Sequence, residues 1–235
     1  MIFLVSNLNN IINQIISSFD FELYINSTIE SIFMIFTSSF IAYLLGIPLG
    51  VVLFITGKDS ISQNDFLYNI LSIIVNIFRS IPFIILLILV MPFTKFVVHT
   101  VIGPSAVIPP LVISAAPYIA RMVEQSLCEV DKGVIEAAKA MGASNFQIIT
   151  KVLLVESKPS LLVGAAISIT TILGYSAMAG AVGGGGLGDV AIRYGYHRYE
   201  QVTMFVTVIL LLIMVQIIQY VFMKLAKKSD KRIIN

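Results

Sequence analysis

The stretch Glu136-Ala137-Ala138-Lys139-Ala140-Met141-Gly142 decides how this chain folds, because it is a polar segment within a very hydrophobic sequence. Long apolar runs lie a short distance before and after it. A charged segment that favours helix and ends in glycine is suited to water, whereas the runs around it are suited to lipid. We therefore predict a helical loop between membrane spans. On the residues alone, it is either an ordinary connection or a platform for a soluble partner.

The composition is typical of a membrane protein. Of 235 residues, 57% are hydrophobic and 12% are charged, whereas soluble domains carry about 25% charged residues. The net charge of +2 does not indicate nucleic-acid binding. The single Cys128 excludes an intrachain disulfide and a cysteine-based metal site. The sequence has neither G-x-x-x-x-G-K-[ST] nor H-E-x-x-H, and His99 and His197 are far apart, so we predict no cofactor and no metal on this chain.

Five apolar runs are long enough to cross a bilayer core, which needs about 20 residues in helical form. We therefore predict an all-α, polytopic membrane protein with five transmembrane helices. The Gly46–Gly50 segment, which contains Pro48, predicts a kink in the first span, and four prolines predict a bent or partly re-entrant third span. The predicted spans are Thr28 to about Thr56, Phe66 to about Pro92, about Val101 to Glu124, about Ser160 to Val182, and about Val202 to Met223.

The distribution of basic residues predicts the orientation. Residues 1–57 contain no Lys or Arg; eleven basic residues fall on the side of the 125–158 loop and the 225–235 tail, and three fall on the other side. By the positive-inside rule, the N-terminus is outside, and the loop and the basic tail are cytoplasmic. Residues 1–27 lack the features of a signal peptide. Their apolar side chains share one helical face, which predicts either an interfacial helix or a frayed tail before the 28–224 permease domain.

The chemistry of the loop predicts two helices joined by a sharp turn. Residues 133–141 favour helix, and Gly142 suits a left-handed stop. Ser144-Asn145-Phe146-Gln147 predicts a capping box that starts a second helix through Lys151. A carboxylate, small side chains and two apolar side chains are available for contact with a partner. The candidate contact residues are Glu136, Ala137, Ala138, Met141, Gly142 and Phe146.

This segment resembles the EAA loop of the membrane-spanning subunits of bacterial ABC importers. That pattern has Glu-Ala-Ala, three residues, Gly, and an apolar ending with proline; here Val152–Val155 lacks the proline, and Pro159 follows. Four further segments resemble the methionine-importer branch of these permeases, and the resemblance covers most of the chain from about residue 28 to 220. These segments are Ile77–Phe83, Ala115–Glu124, Gly174–Met178 and Gly183–Gly188.

The resemblance implies the partners and the location of the protein. It implies a homodimeric permease in the bacterial plasma membrane, bound to a cytoplasmic ABC ATPase dimer and to an external substrate-binding lipoprotein. ATP would bind to the ATPase partner, and this chain itself would not be an enzyme. The substrate would be methionine, with other amino acids or short peptides as alternatives.

Several residues are candidates for the transport pathway. Arg79 is a functional candidate by default because an intramembrane arginine is costly; the alternatives are snorkelling or pairing with a carboxylate such as Glu124. Ser176-Ala177-Met178 either line a pore or pack within the bundle. Gly183–Gly188 fits G-x-G-x-x-G, a pattern that indicates nucleotide binding when it follows a strand. Here it follows an apolar helix, so we predict an external turn or a gate-supporting loop instead. The pathway candidates are Arg79, Ser80, Pro82, Ser176, Ala177 and Met178.

Two other functional classes remain alternatives. A secondary transporter or channel without an ATPase is the runner-up. The absence of acidic residues between Phe66 and Leu111 disfavours ion coupling through the second span. A membrane-embedded enzyme is disfavoured because the spans contain no plausible nucleophile–base pair. We therefore predict the permease subunit of an ATP-driven amino-acid importer.

Overall fold

Every regular element is a helix in the part of the chain that the computed structural model describes, residues 20–58 and 60–230. This confirms the predicted all-α fold class. The α-helices are α1 (Phe21–Thr56), α2 (Asp65–Ser80), α3 (Phe83–Val98), α4 (Pro104–Cys128), α5 (Lys132–Ala140), α6 (Asn145–Gln147), α7 (Leu154–Glu156), α8 (Lys158–Ala179), α9 (Gly186–Val190) and α10 (Gln201–Ser229). Two π-helical segments, Ile148–Leu153 and Ala191–Tyr196, and a 3₁₀ turn, Gly180–Val182, complete the set.

Helix α1 is longer than the predicted first span, which was expected to begin at Thr28. It begins where the side chain of Asp20 accepts a hydrogen bond from Leu23 N at 3.1 Å, so residues 21–27 belong to α1. The remainder of the predicted N-terminal segment, residues 1–19, lies outside the described residues. The tail predicted to begin at residue 225 starts inside α10, which ends at Ser229.

The glycines of the first span bring α1 and α4 together. The helix α1 continues without a break through Pro48 and the Gly46–Gly50 segment. A Cβ placed at Gly50 would lie 2.5 Å from the Ala120 carbonyl oxygen, and one at Gly46 would lie 2.7 Å from Ile119 Cγ2. The missing side chains therefore allow close packing of two helix backbones.

The predicted second span is broken. Instead of one helix from Phe66 to Pro92, the chain forms α2 and α3, whose axes are bent by 108°. The break follows from proline stereochemistry, because the ring of Pro82 disfavours helical geometry at the preceding residue. Ile81 is accordingly extended, with φ −79° and ψ 123°. The predicted second span, Phe66 to about Pro92, is therefore interrupted at Ile81 and Pro82.

Helix α4 is the central element of the bundle. The prolines of this span were expected to give a bent or re-entrant path, but Pro109, Pro110 and Pro117 all lie inside one α-helix of 25 residues, and Pro104 begins it. Of the four helices that are individually long and apolar enough to cross a membrane, α4 is the most buried. It packs against α1, α2, α3 and α8.

The predicted fourth and fifth spans correspond to α8 and α10. Gly164 and Ser168 of α8 are buried, and Ser168 Oγ lies 2.5 Å from the Tyr43 hydroxyl of α1. Helix α10 packs on α8 and is the least buried span. Helices α1, α4, α8 and α10 can each cross a membrane, and α2 with α3 would supply a fifth span if the bent pair is one broken span.

Candidate coupling site and transport pathway

The loop between α4 and α8 begins with a capped helix and a tight stop. The Asp131 side chain accepts a hydrogen bond from Gly133 N at 2.7 Å and so caps α5. At the other end, Gly142 has φ +79°, as predicted. Gly142 N donates to Lys139 O at 2.9 Å, and Ala143 N donates to Ala138 O at 3.1 Å. This pair of hydrogen bonds is a Schellman motif, which reverses the chain directly after the helix.

The predicted capping box starts the return segment. Ser144 N donates to Gln147 Oε1 at 2.9 Å, and Gln147 N donates to Ser144 Oγ at 3.3 Å. The segment continues beyond the predicted end at Lys151, through the π-helical residues 148–153 and α7. We name residues 131–156 the coupling hairpin. Local hydrogen bonds fix both the end of α5 and the start of α6, so the turn between these two helices is rigid.

The tip of the coupling hairpin exposes two large apolar side chains. Met141 is 82% exposed and Phe146 is 73% exposed. Glu136, Ala137 and Gly142 are also exposed. Five of the six candidate contact residues therefore lie on the surface, whereas the sixth, Ala138, is 4% exposed and faces the protein interior. Sequence reasoning placed Ala138 on the contact face; its helical position instead turns it toward the bundle.

The buried face of the coupling hairpin is anchored to the end of α4. Ala138, Ile148 and Leu153 are each less than 5% exposed and belong to the same apolar cluster as Leu127 and Val130. Interiors packed in this way transmit displacement instead of absorbing it. A force applied at the tip would therefore move α4, the helix that contacts most of the bundle.

The two predicted pathway segments meet through an aromatic stack. Phe83, the first residue of α3, stacks on Tyr175 of α8 with ring centroids 4.6 Å apart. Arg79, Ser80 and Pro82 are exposed around the α2–α3 bend, and Met178 is 54% exposed one helical turn beyond Tyr175. Exposed polar and apolar groups therefore lie on both sides of the stack.

Two of the pathway candidates pack within the helix bundle. Ser176 is 2% exposed, and its hydroxyl donates to the Leu173 carbonyl of its own helix at 2.8 Å. Ala177 is half-buried, and a side chain added at Gly188 of α9 would collide with the Ala177 carbonyl oxygen. For these two residues, the geometry favours the alternative of bundle packing.

Glu124, which was suggested as an ion-pair partner of Arg79, pairs with Arg121 instead. Glu124 accepts an ion-paired hydrogen bond from Arg121 at 2.7 Å, whereas the guanidinium carbon of Arg79 lies 6.0 Å from the centroid of the Tyr118 ring. Arg79 is thus exposed in the last turn of α2, beside an aromatic face that favours a cation. The suggested Arg79–Glu124 pair was wrong.

Sequence reasoning missed Arg121, which it assigned to the cytoplasmic loop. The Arg121 side chain is 14% exposed and lies within α4. Its guanidinium donates to Ser72 Oγ and to Asn76 Oδ1, the latter at 3.2 Å. It thereby ties the central helix to α2. The signal was present in the sequence: Ser72 and Asn76 are polar positions one helical turn apart in an otherwise apolar run.

The glycine-rich segment at the far end of α8 is a structural loop. Gly183, Gly185 and Gly186 all have positive φ. Glu30 of α1 accepts a hydrogen bond from Gly186 N at 2.7 Å, and Ser31 Oγ accepts one from Leu187 N at 2.9 Å. This confirms the predicted tight turn and shows that it is fastened to α1.

One carboxyl in this region is electrostatically perturbed. Burial raises the pKa of Asp189, the nearby charge of Glu30 adds to this, and Arg193, whose Nη2 is 2.8 Å away, acts in the opposite direction. A raised pKa means that the ionised form is held less favourably in the folded protein than in the unfolded chain. Any stability that arises from neutral Asp189 is therefore present at low pH and lost as the pH rises through the folded pKa.

Comparison with known proteins identifies the family. Residues 46–235 match the family described as the binding-protein-dependent transport system inner membrane component. The chain belongs to this family. The probable D-methionine transport system permease protein MetI of Vibrio cholerae is 47% identical to this family member over 211 residues, covering 90% of this chain and 94% of that protein. The methionine import system permease protein MetP of Bacillus subtilis is 47% identical over 207 residues, covering 88% and 93%.

Solved structures of transporter subunits superpose on this inner membrane component. A chain from the inward-facing MetNI methionine ABC transporter aligns with a TM-score of 0.88 at 46% identity, covering 90% of this chain and 98% of that chain. A chain of an amino acid ABC transporter solved with histidines aligns with a TM-score of 0.72 at 16% identity. The second likeness shows the shared fold alone.

Proposed function

We propose that this chain is the permease subunit of an ATP-driven methionine importer in the bacterial plasma membrane. Two copies would enclose the pathway, and a cytoplasmic ATPase dimer would bind ATP and supply the energy. An external substrate-binding lipoprotein would deliver the substrate. The observation that carries the proposal is the exposed apolar tip of the coupling hairpin, Met141 and Phe146, on a chain whose family relatives are methionine permeases.

The coupling hairpin is suited to transmit the movement of an ATPase. Exposed Met and Phe side chains on a rigid turn supply the buried anchors that protein interfaces use, with Glu136 and the small Ala137 beside them. Ala138 contributes differently: it packs inward and holds the hairpin to the bundle. Because the hairpin is anchored to α4, and Arg121 fastens α4 to α2, drawing two hairpins together would tilt α4 and α2 as one body.

The energy for opening the pathway must come from a differential affinity of the partner. An ATPase whose ATP-bound and ATP-free forms favour different spacings of the two hairpins would shift the permease between two arrangements. Within the permease, Arg79, Ser80, Pro82 and Met178 would face the pathway, with Met178 as an adaptable apolar constriction. Ser176 and Ala177 would support it from within the bundle.

The proposed orientation places the coupling hairpin in the cytoplasm. Lys132, Lys139, Lys151 and Lys158 lie on or beside the hairpin, and further basic residues follow α10. The positive-inside rule assigns that side to the cytoplasm and the α1 N-terminus to the outside. The glycine-rich loop, at the opposite end of α8, would then be external.

Transport in proteoliposomes distinguishes the importer from the runner-up, a secondary transporter or channel. The purified chain is reconstituted with its ATPase and binding protein, and uptake of labelled methionine is measured with and without ATP. We expect uptake that requires both ATP and the ATPase. Uptake driven by an ion gradient, in vesicles that lack the ATPase, would refute the proposal.

A further inference from the structure

A cavity lies behind the exposed tip of the coupling hairpin. It has a volume of about 370 Å³ and lies between the end of α1, the beginning of α2, the end of α4 and the inner side of α5. Its volume falls in the range of small-molecule sites, about 300–1,000 Å³. Neither Met141 nor Phe146 lines it. The cavity therefore excludes the two apolar residues proposed to anchor the ATPase, and shares Glu136 with the proposed contact surface.

The charge in this cavity is positive. Lys58, Lys132 and Lys139 all line it, and each is exposed. In residues 20–58 and 60–230, none of the three lysines makes an ion pair. Two carboxylates also line the cavity, but Glu124 is neutralised by Arg121. Among the described residues that line the cavity, Glu136 alone is left to balance three ammonium groups, so the cavity is suited to an anion.

A hydroxyl in the wall of the cavity also lacks a partner. The Ser60 Oγ atom is buried and has no hydrogen-bond partner in the described part of the chain. A buried hydroxyl without a partner is costly, by about 1–3 kcal/mol. An anionic oxygen bound in the cavity would accept its hydrogen bond. The cavity thus contains both the charge and the neutral donor that a phosphate group uses.

The opposite wall of the cavity is apolar. Leu53 and Phe54, from the last turn of α1, and Ile61, from the α1–α2 connection, line it. These residues lie where a membrane span ends, and the lysines lie in the loops beyond it. A ligand with an anionic group next to hydrocarbon matches this arrangement, and basic pockets at the cytoplasmic ends of membrane helices bind anionic lipid headgroups.

We propose that this cavity binds the phosphate group of an anionic phospholipid. The phosphate would contact Lys58, Lys132, Lys139 and the Ser60 hydroxyl, and the start of the acyl chains would lie against the partly exposed Phe54 and Ile61. A bound lipid would then bridge the α1–α2 connection and the coupling hairpin. Free inorganic phosphate shares the headgroup chemistry but not the apolar contact.

Native mass spectrometry of the full-length chain, purified in neutral detergent without the ATPase, tests the proposal. The probes are phosphatidylglycerol, phosphatidylcholine and inorganic phosphate. We expect phosphatidylglycerol to bind wild type at least about tenfold more tightly than phosphatidylcholine, because each lysine near an anionic headgroup contributes about 1 kcal/mol. In the K58Q/K132Q/K139Q variant, this preference should fall to about twofold, and K58R/K132R/K139R should retain it.

The matched control is K151Q/K158Q/K228Q, which removes the same charge from exposed lysines that do not line the cavity; it should keep the wild-type preference. Equal phosphatidylglycerol binding by wild type and K58Q/K132Q/K139Q would overturn the proposal. Inorganic phosphate that binds wild type as tightly as the lipid, and is lost in the same variant, would overturn the lipid assignment. Because no ATPase is present, failure here is separate from failure of the proposed transport function.

Discussion

The Phe83 ring lies parallel to the Tyr175 ring, with centroids 4.6 Å apart and planes 3° from parallel. Phe83 begins α3 directly after the bend at Ile81-Pro82, and Tyr175 lies in α8 one turn before Met178. The stack therefore fixes the bent α2–α3 pair against α8. It joins two segments that are more than 90 residues apart in the sequence.

Replacing Phe83 with Leu should destabilise the bend while preserving most of the apolar volume. An aromatic pair contributes about 0.5–1.5 kcal/mol beyond its buried area, so the double-mutant cycle with Tyr175→Leu should give a coupling energy of that size. Reversible unfolding in mixed detergent micelles measures it. Phe93→Leu, at a residue of α3 that is 52% exposed, is the control and should change little. A coupling energy near zero would show that the stack does not hold the bend.

Arg121 should be more important for stability than Arg79, because its side chain is less exposed and is ion-paired. Arg121→Met leaves Glu124 with 11% side-chain exposure and without its ion-pair partner, and breaking such a pair costs about 3–5 kcal/mol when it is fully buried. We expect a loss of about 2–3 kcal/mol for this partly exposed pair, measured by the same unfolding assay.

Two further variants separate the ion pair from general packing. Arg121→Met combined with Glu124→Leu should recover part of the lost stability, because no carboxylate remains unpaired. Arg79→Met, the matched control, should cost about 1 kcal/mol or less, since only the contact with Tyr118 is removed. Equal losses in Arg121→Met and Arg79→Met would contradict the assigned network.

Gly142 tests the turn of the coupling hairpin. An added Cβ at Gly142 meets nothing within 4 Å, so only the positive φ of +79° resists substitution. Gly142→Val should strain the turn by about 1–2 kcal/mol or more, and Gly142→Asn by less. We expect the valine variant to insert normally but to lose coupled methionine uptake. Gly174→Ala is the matched control, because that position is equally open but has no positive φ. Normal uptake by Gly142→Val would argue against a role for the turn.

Local chemistry made the coupling hairpin predictable. The glycine stop and the capping box each depend on residues within a few positions of one another, so the sequence contains the whole interaction. The bend at Pro82 and the continuous α4 were not predictable in the same way. Both segments contain proline, and only packing against neighbouring helices determines whether the chain breaks or continues.

The candidate site was predictable only in part, for a related reason. The sequence indicates that Ala138 and Met141 lie on one helix, but not which face the bundle covers. The partner of Glu124 depends on how α4 is rotated against α2, which is a long-range property. Arg79 was singled out as an intramembrane charge, whereas Arg121, near the end of its span, was counted with the basic residues of the cytoplasmic side.

Labelling of single cysteines tests the proposed orientation. In a background with Cys128→Ala, a cysteine at Asn9 should react with an impermeant thiol reagent added outside the cell, and one at Ser229 should not. The physical reason is the absence of basic residues before Lys58 and the five basic residues from Lys224 to Arg232, at and beyond the end of α10. Permeabilised cells supply the control, because both positions should then react. The reverse labelling pattern would place the coupling hairpin outside and remove the basis for ATPase binding.

Binding of the purified ATPase to the permease in nanodiscs tests most directly whether Met141 and Phe146 anchor the ATPase. Anchor residues at interfaces contribute about 2 kcal/mol or more each, so Met141→Ser/Phe146→Ser should weaken binding by about 1,000-fold. Phe205→Ser, which changes a 68% exposed side chain of α10, is the control and should bind as wild type does. Wild-type affinity in the double variant, with the fold intact, would contradict the account.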